Sequence, residues 1–286
     1  MSSVRSIADA LALQHRLVEV SDTPQLDVSL LLCHVLDKPR SYLYTWPERC
    51  LDDAQWRCFE TLFARRAAGE PIAHILGYRD FWSLRLEVSA DTLIPRPDSE
   101  CLVERVLDHH RGQPAGRLLD LGTGTGALAL ALASELPSWE IWAVDKHPGA
   151  VALAENNRLK LGFQQVSVRQ SDWFESLPAE LRFDVIISNP PYIDGADPHL
   201  QQGDLRYEPA SALVAPAEGM ADLAYIASAA PGYLCGGGRL YLEHGYQQAP
   251  KVREQLSRRG FSDVASYRDY GDHERVTAGC WVEGNQ

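Results

Sequence analysis

The chain has no Cys-x-x-Cys pair, and its six cysteines, at positions 33, 50, 58, 101, 235 and 280, lie far apart. In a chain this long that scatter indicates reduced thiols and a cytoplasmic protein, not a disulfide framework. No basic segment followed by an apolar run opens the sequence, so no secretory signal is expected. The longest apolar stretches, residues 28–36 and 127–133, fall far short of the roughly 20 residues a membrane span needs. The histidines show no metal-ligand spacing, which leaves no metal site expected. Positive charge is in deficit, with 27 Lys+Arg against 39 Asp+Glu and a net charge of -12. That balance argues against broad, direct binding to a nucleic-acid backbone. Internal repeats and low-complexity segments are also missing.

What remains is the composition of a folded protein: 286 residues, 45% hydrophobic and 23% charged, enough for a large domain and a small one. Apolar residues at helical spacing predict a helix over 4–20. A second helix is expected from Pro24 through Leu36, with Thr23 as N-cap. A third starts near Asp52 and ends before Gly69. Residues 70–95 change character: Gly77, Phe81-Trp82, the alternating Leu84, Leu86 and Val88, and Leu93-Ile94 predict two short strands, a hairpin linking two domains. Pro95-Arg96-Pro97 then blocks helix, and a helix is expected over 98–109.

From Arg117 strands and helices alternate. Strands are expected at 117–121, 140–144, 166–169, 183–188 and 239–242, with helices near 126–135, 147–161 and 219–234, which implies a parallel sheet. Two further strands, 261–268 and 275–282, flank a polar turn. The fold class is therefore α/β: a Rossmann-like, seven-stranded sheet with a terminal antiparallel hairpin, the class I methyltransferase variant, preceded by a small helical bundle. The chain divides into a helical docking domain over 1–72, a β-hairpin linker over 73–95 and a methyltransferase domain over 96–286.

The strand 117–121 runs into Gly122-Thr123-Gly124-Thr125-Gly126. A glycine loop between strand and helix lets the backbone approach a ligand. Asp145 ends the next strand, where a carboxylate can accept hydrogen bonds from ribose hydroxyls. The loop by itself fits a nicotinamide fingerprint equally well. Two features favour S-adenosyl-L-methionine: the loop comes late in the chain, and the fourth strand ends in Asn189-Pro190-Pro191-Tyr192. After the third strand, Asp172 is placed to accept an adenine N–H and Trp173 to pack on the ring, or else to close the core.

The tetrapeptide leaves the carboxyl end of an apolar strand, where open parallel sheets bind ligands. Neither proline has an N–H, so the segment presents carbonyl oxygens from a stiff scaffold. The Asn189 side chain and the Pro190 carbonyl can together accept both hydrogens of one –NH₂ group. A planar nitrogen gains positive charge as it is methylated, so two fixed acceptors bind the transition state better than the ground state. Tyr192 can pack on the planar group. Asn189, Pro190 and Tyr192 are thus the candidate catalytic residues, with Pro191 completing the substrate grip. Amide and adenine nitrogens both satisfy this chemistry, so an adenine-N6 methyltransferase stays open at this point, as does a non-catalytic cofactor-binding module.

At these residues the chain resembles the protein-(glutamine-N5) methyltransferases that modify peptide chain release factors, the HemK-type family. The resemblance spans nearly the whole chain. It rests on Gly69-Glu70-Pro71-Ile72, on Leu93-Ile94-Pro95-Arg96-Pro97-Asp98-Ser99-Glu100, on Asp120 to Gly126, and on Asn189 to Ile193. Tyr207-Glu208-Pro209 and Glu243-His244-Gly245 add to it. Ser99 stands where the family usually has threonine, which keeps the hydroxyl. The resemblance implies that the substrate is the glutamine of the Gly-Gly-Gln tripeptide in bacterial class 1 release factors. It implies cofactor contacts from Gly122, Thr123, Gly124, Thr125, Gly126, Asp145, Trp173 and Asn189, with S-adenosyl-L-homocysteine as product. The helical domain would dock the release factor, and a monomer is expected. Glu208 and Glu243 match family motifs without an assignable chemistry.

Overall fold

A computed structural model describes residues 5–282 of the chain. Two compact units are present: one holds the chain up to Tyr78 together with Pro198–Tyr207, the other holds Arg79–Asp197 and the chain from Glu208 on.

The first unit is helical: α1 (Ile7–Ala12), α2 (Pro24–Leu36), α3 (Arg40–Thr45), α4 (Asp53–Ala67) and α5 (Ile72–Leu76). The expected single helix over 4–20 is shorter. Val4 lies outside the described residues, Ser6 and Asp9 form a capping box at the start of α1, and Leu13–Leu17 tighten into a 3-10 turn that buries Leu17. Thr23 occupies the N-cap position of α2 but its side chain caps nothing, and Pro24 supplies the helical start instead. Asp52 caps α4 reciprocally with Gln55. Val28, Leu31, Leu32, Phe59 and Phe63 close the core of this unit. The short helices α3 and α5 went unread in the sequence.

The second unit begins at Arg79, within the expected hairpin of β1 (Tyr78–Phe81) and β2 (Leu84–Glu87). Leu93 and Ile94 lie outside it, in the segment leading to a 3-10 turn (Pro97–Ser99) and α6 (Glu100–His110). Then come β3 (Arg117–Leu121), α7 (Ala127–Glu135), β4 (Glu140–Asp145), α8 (Pro148–Leu161), β5 (Val166–Gln170) and β6 (Phe183–Ser188). The four-residue α9 (Pro216–Gly219), α10 (Ala221–Ala229), β7 (Leu234–Glu243), α11 (Ala249–Arg259), β8 (Phe261–Arg268) and β9 (Glu274–Trp281) complete it.

Seven strands form one sheet in the order β5-β4-β3-β6-β7-β9-β8. All neighbours are parallel up to β7, and the terminal hairpin pairs antiparallel. Side chains alternate across the sheet. Leu118, Ile141, Ala143, Val185 and Ile187 face one core, beneath α6 and α7, while Leu119, Leu121, Val144, Ile186 and Leu242 face the other, beneath α10 and α11. Burial on both faces explains why these strands read as continuous apolar runs.

Chain order reverses between β3 and β6, which are adjacent although far apart in sequence. Such a switch point leaves a crevice at the carboxyl ends of the two strands. The glycine loop leaves β3 there, and the tetrapeptide leaves β6.

Candidate active site

The crevice holds a cavity of about 360 Å³, lined among others by Gly122, Thr123, Gly124, Thr125, Asp145, Asp172, Trp173, Asn189 and Pro191. Gly126, Pro190 and Tyr192 are not on its wall.

Gly122 and Thr123 both donate their N–H groups to the Val144 carbonyl at 2.9 Å, which clamps the loop to the end of β4. Gly122 takes φ +71°, and a Cβ there would come within 3.3 Å of the Trp173 ring. The loop therefore needs glycine twice over, for its backbone and for the ring that rests on it. Asp145 receives the Gly124 N–H at 3.0 Å and, on its other oxygen, the His147 N–H at 2.9 Å. Each carboxylate oxygen keeps a further lone pair for a ligand hydroxyl. Below the loop, Asp120 is buried and accepts the Thr123 hydroxyl at 2.6 Å. Burial pushes its carboxyl up to about 7, the Thr123 hydroxyl pulls against this, and nearby Asp145 adds to the rise.

Asp172 lines the cavity but is not unpartnered: Lys146 Nζ lies 2.6 Å from its carboxylate. No local pattern marks that lysine in the sequence. Trp173 adopts φ +50° and lines the cavity while packing on the core that contains Phe174 and Leu177. Asp222 and Asp91 also line the cavity, and the pKa of Asp222 is raised by burial and by Asp172.

At the other end of the crevice the Ser188 hydroxyl donates to the Leu121 carbonyl at 2.7 Å, locking the end of β6 to that of β3. Asn189 follows immediately. Its Nδ2 donates to the Ser99 hydroxyl at 3.2 Å, which commits Oδ1 to be the amide's acceptor. Tyr192 turns toward the sheet, its hydroxyl 3.5 Å from Glu243 Oε1. Burial raises the pKa of that phenol well above the ordinary range, so it stays neutral. Arg96 and Thr92 also line the cavity; Arg96 Nη2 reaches both oxygens of the buried Glu208, at 2.8 and 2.6 Å, and Glu208 further accepts the Ile94 N–H at 3.2 Å. This explains why Glu208 is present: it anchors the Pro-Arg-Pro segment along the cavity.

The residues fit a nucleoside with a charged tail. A glycine cradle faces an indole ring, a carboxylate ends β4, and the Thr92 hydroxyl, 2% exposed, lines the cavity with no hydrogen-bond partner among the described residues. Among the described residues no group of three His, Cys, Asp or Glu side chains could hold a metal ion, and no helix is long and apolar enough to cross a membrane.

Two family models match the chain: the PrmC N-terminal domain over residues 11–77 and the Methyltransferase small domain over residues 97–206. The release factor glutamine methyltransferase of Aliivibrio fischeri is 51% identical over 274 residues, covering 96% of this chain and 96% of its own. The protein of the same name from Yersinia pestis is 55% identical, over 92% of this chain and 94% of its own. A solved methyltransferase from Pyrococcus furiosus matches with a TM-score of 0.53 at 18% identity, covering 77% of this chain and 98% of that one. At that identity the likeness speaks for the fold alone.

Proposed function

We propose a reaction for this chain from the family to which it belongs, the release factor glutamine methyltransferases. It methylates the side-chain amide nitrogen N5 of the glutamine in the Gly-Gly-Gln tripeptide of bacterial class 1 release factors. When bound, S-adenosyl-L-methionine supplies a methyl group on a positively charged sulfur, and S-adenosyl-L-homocysteine is the product. Gly122 to Gly126 and Trp173 would hold the nucleoside part, and Asp145 the ribose hydroxyls. Asp172, whose Oδ2 is paired with Lys146, would offer its other oxygen to the adenine edge.

The observation that carries the reading is the orientation of Asn189. Its –NH₂ is committed to Ser99, so its carbonyl oxygen is the group offered to a substrate. That oxygen and the Pro190 carbonyl take the two hydrogens of the glutamine amide and hold the nitrogen in line for attack. As the N–C bond forms, positive charge gathers on the nitrogen, and both acceptors strengthen their hold. The amide proton leaves afterwards to water, so no dedicated base is required. Tyr192 lies behind the site, off the cavity wall, and stays uncharged. The helical unit docks the release factor, and the enzyme acts as a cytoplasmic monomer on a protein partner.

The test uses labelled methyl donor with three acceptors: a release factor, the same factor with its tripeptide glutamine replaced by alanine, and adenine-containing DNA. Incorporation into the first alone is expected. Label in the altered factor or in DNA would overturn the reading.

A further inference from the structure

A carboxamide that enters the cavity brings a carbonyl oxygen as well as its two N–H groups. That oxygen loses water on entry, and a buried carbonyl without a donor is costly. Among the described residues two lysine or arginine side chains line the cavity, Lys146 and Arg96. Lys146 is spent on Asp172, 2.6 Å away. Arg96 is only partly spent. Its Nη2 meets both Glu208 oxygens, at 2.8 and 2.6 Å, while Nε and Nη1 have no hydrogen-bond partner among the described residues. The Arg96 side chain is 32% exposed, whereas that of Glu208 is fully buried. The N–H groups on Nε and Nη1 therefore remain for a ligand.

Arg96 stands at the tetrapeptide's end of the cavity. Its carbonyl accepts the Ser99 N–H at 3.1 Å, in the 3-10 turn that follows it, and the Ser99 hydroxyl accepts from Asn189 Nδ2 at 3.2 Å. One turn of backbone thus joins Arg96 to the residue that turns its Oδ1 to the substrate. We propose that Arg96 is a substrate-binding residue whose unused N–H groups donate to the carbonyl oxygen of the glutamine amide. Asn189, Pro190 and Arg96 then hold every polar atom of that amide. This rests on the methyl-transfer reading above and deepens it.

The Glu208 contact says what kind of oxygen suits the site. A guanidinium paired with a buried carboxylate is a nearly neutral unit with directed donors. A neutral carbonyl needs direction and no net charge. A ligand carboxylate, such as the one on the cofactor's tail, would bring a second negative charge beside Glu208. Near-neutrality also serves the transfer. A bare guanidinium would draw the nitrogen lone pair toward the oxygen and oppose the positive charge arriving on that nitrogen, and Glu208 offsets both effects. What Arg96 contributes is orientation. The oxygen is the more basic atom of an amide, and holding it on Arg96 keeps it turned away from the methyl group while the nitrogen faces it.

The experiment is a binding cycle followed by calorimetry. The unaltered protein, Arg96→Lys and Arg96→Gln are each titrated, with S-adenosyl-L-homocysteine present, with a release factor and with the same factor carrying alanine for its tripeptide glutamine. Binding of S-adenosyl-L-homocysteine itself and melting temperature are measured alongside. Arg96→Lys keeps a positive charge for Glu208 and so serves if Arg96→Gln unfolds, yet one ammonium cannot satisfy Glu208 and the amide together. Expected in both variants is a loss of about 10- to 100-fold in affinity for the factor that has its glutamine, the order of a hydrogen bond to a charged group. Affinity for the alanine factor and for S-adenosyl-L-homocysteine should stay within about 2-fold, as for groups that do not meet. Equal losses for the two factors would reduce Arg96 to an anchor of its own segment and overturn the inference. So would a loss centred on S-adenosyl-L-homocysteine, which would hand the guanidinium to the cofactor's carboxylate, and so would unchanged affinity throughout. In each of these cases the unaltered protein still methylates the factor. Absence of that transfer would instead overturn the reading of function, and this inference with it.

Discussion

Gly219 faces the Tyr192 carbonyl oxygen so closely that a Cβ at position 219 would sit 2.0 Å from it. Gln248 Nε2 donates to the same oxygen at 3.0 Å, and Gln248 is itself held by the Gly245 N–H at 2.9 Å. The tetrapeptide is thus clamped from behind by residues well downstream of it. Gly219 also takes φ +77°, which a side chain would strain. Gly219→Ala must push Tyr192 aside and carry Asn189 with it. An ångström of misplacement can cost about 100-fold in rate, so a drop in kcat of that order is expected, with product binding at the glycine loop retained. Stopped-time methylation assays and calorimetry separate the two effects. Normal kcat would show that the backbone yields elsewhere.

Asn189→Ala removes one of the two acceptors proposed for the substrate amide. By analogy with losing an oxyanion-hole donor, the cost is about 2.7–4 kcal/mol of transition-state stabilisation, or roughly 100- to 1000-fold in kcat. Stability should hardly change, because among the described residues the one side-chain partner left behind is the Ser99 hydroxyl, which can turn its oxygen to another donor or to water. A variant that keeps a tenth or more of wild-type kcat would sink the clamp as the source of catalysis.

The parts of the site that were legible in the sequence are those that act as local runs. The glycine loop and the Asn-Pro-Pro-Tyr segment each carry their geometry within five residues, set by missing Cβ atoms or missing N–H groups. The sheet was legible for the same reason, since burial on both faces writes apolar blocks. Ser99, Lys146, Gly219 and Glu243 were not legible as partners, because each meets its counterpart across folded space. Ser99 lies 90 residues from Asn189, and Glu243 lies 51 from Tyr192. Helix α11 was missed for a different reason. Only Ala249, Val252 and Leu256 are buried in it, too narrow a stripe to stand out among its charged residues. The start of β7 at Leu234, five residues before the expected strand, was hidden by its run of glycines.

Within the helical unit Arg66 is 4% exposed and meets Asp27 at 2.6 Å. The same guanidinium reaches the Val20, Gly69 and Glu70 carbonyls and Asp204, at 3.0, 3.3, 3.1 and 3.1 Å. It thereby ties the end of α4, the chain before α2 and the segment Pro198–Tyr207 into one body. Arg66→Ala leaves a buried Asp27 uncompensated, at a cost of about 3–5 kcal/mol. Arg66→Lys should recover little, since an ammonium cannot serve carboxylate and carbonyls in several directions at once. Urea unfolding of the full chain, followed by the fluorescence of Trp46 and Trp56, checks both. Lysine restoring full stability would mean that charge alone matters at this position.

Asp120 gives a stability effect with a definite sign. Its carboxyl is pushed up to about 7 in the folded protein, chiefly by burial, against 3.8 for a free aspartate. The folded state therefore holds the proton more tightly than the unfolded one. The stabilisation is complete below the unfolded pKa and is lost as pH rises through the folded one. Glu243, raised to about 7 by burial, slopes the same way, so the useful quantity is the difference between variants. Asp120→Asn keeps an acceptor for the Thr123 hydroxyl, 2.6 Å away, but cannot ionise. The fall in melting temperature between about pH 5 and pH 8 should be shallower in this variant than in the parent. Parallel curves would mean that Asp120 does not change its ionisation over this range, against the rise that burial imposes on a carboxylate whose Oδ1 has no hydrogen-bond partner among the described residues.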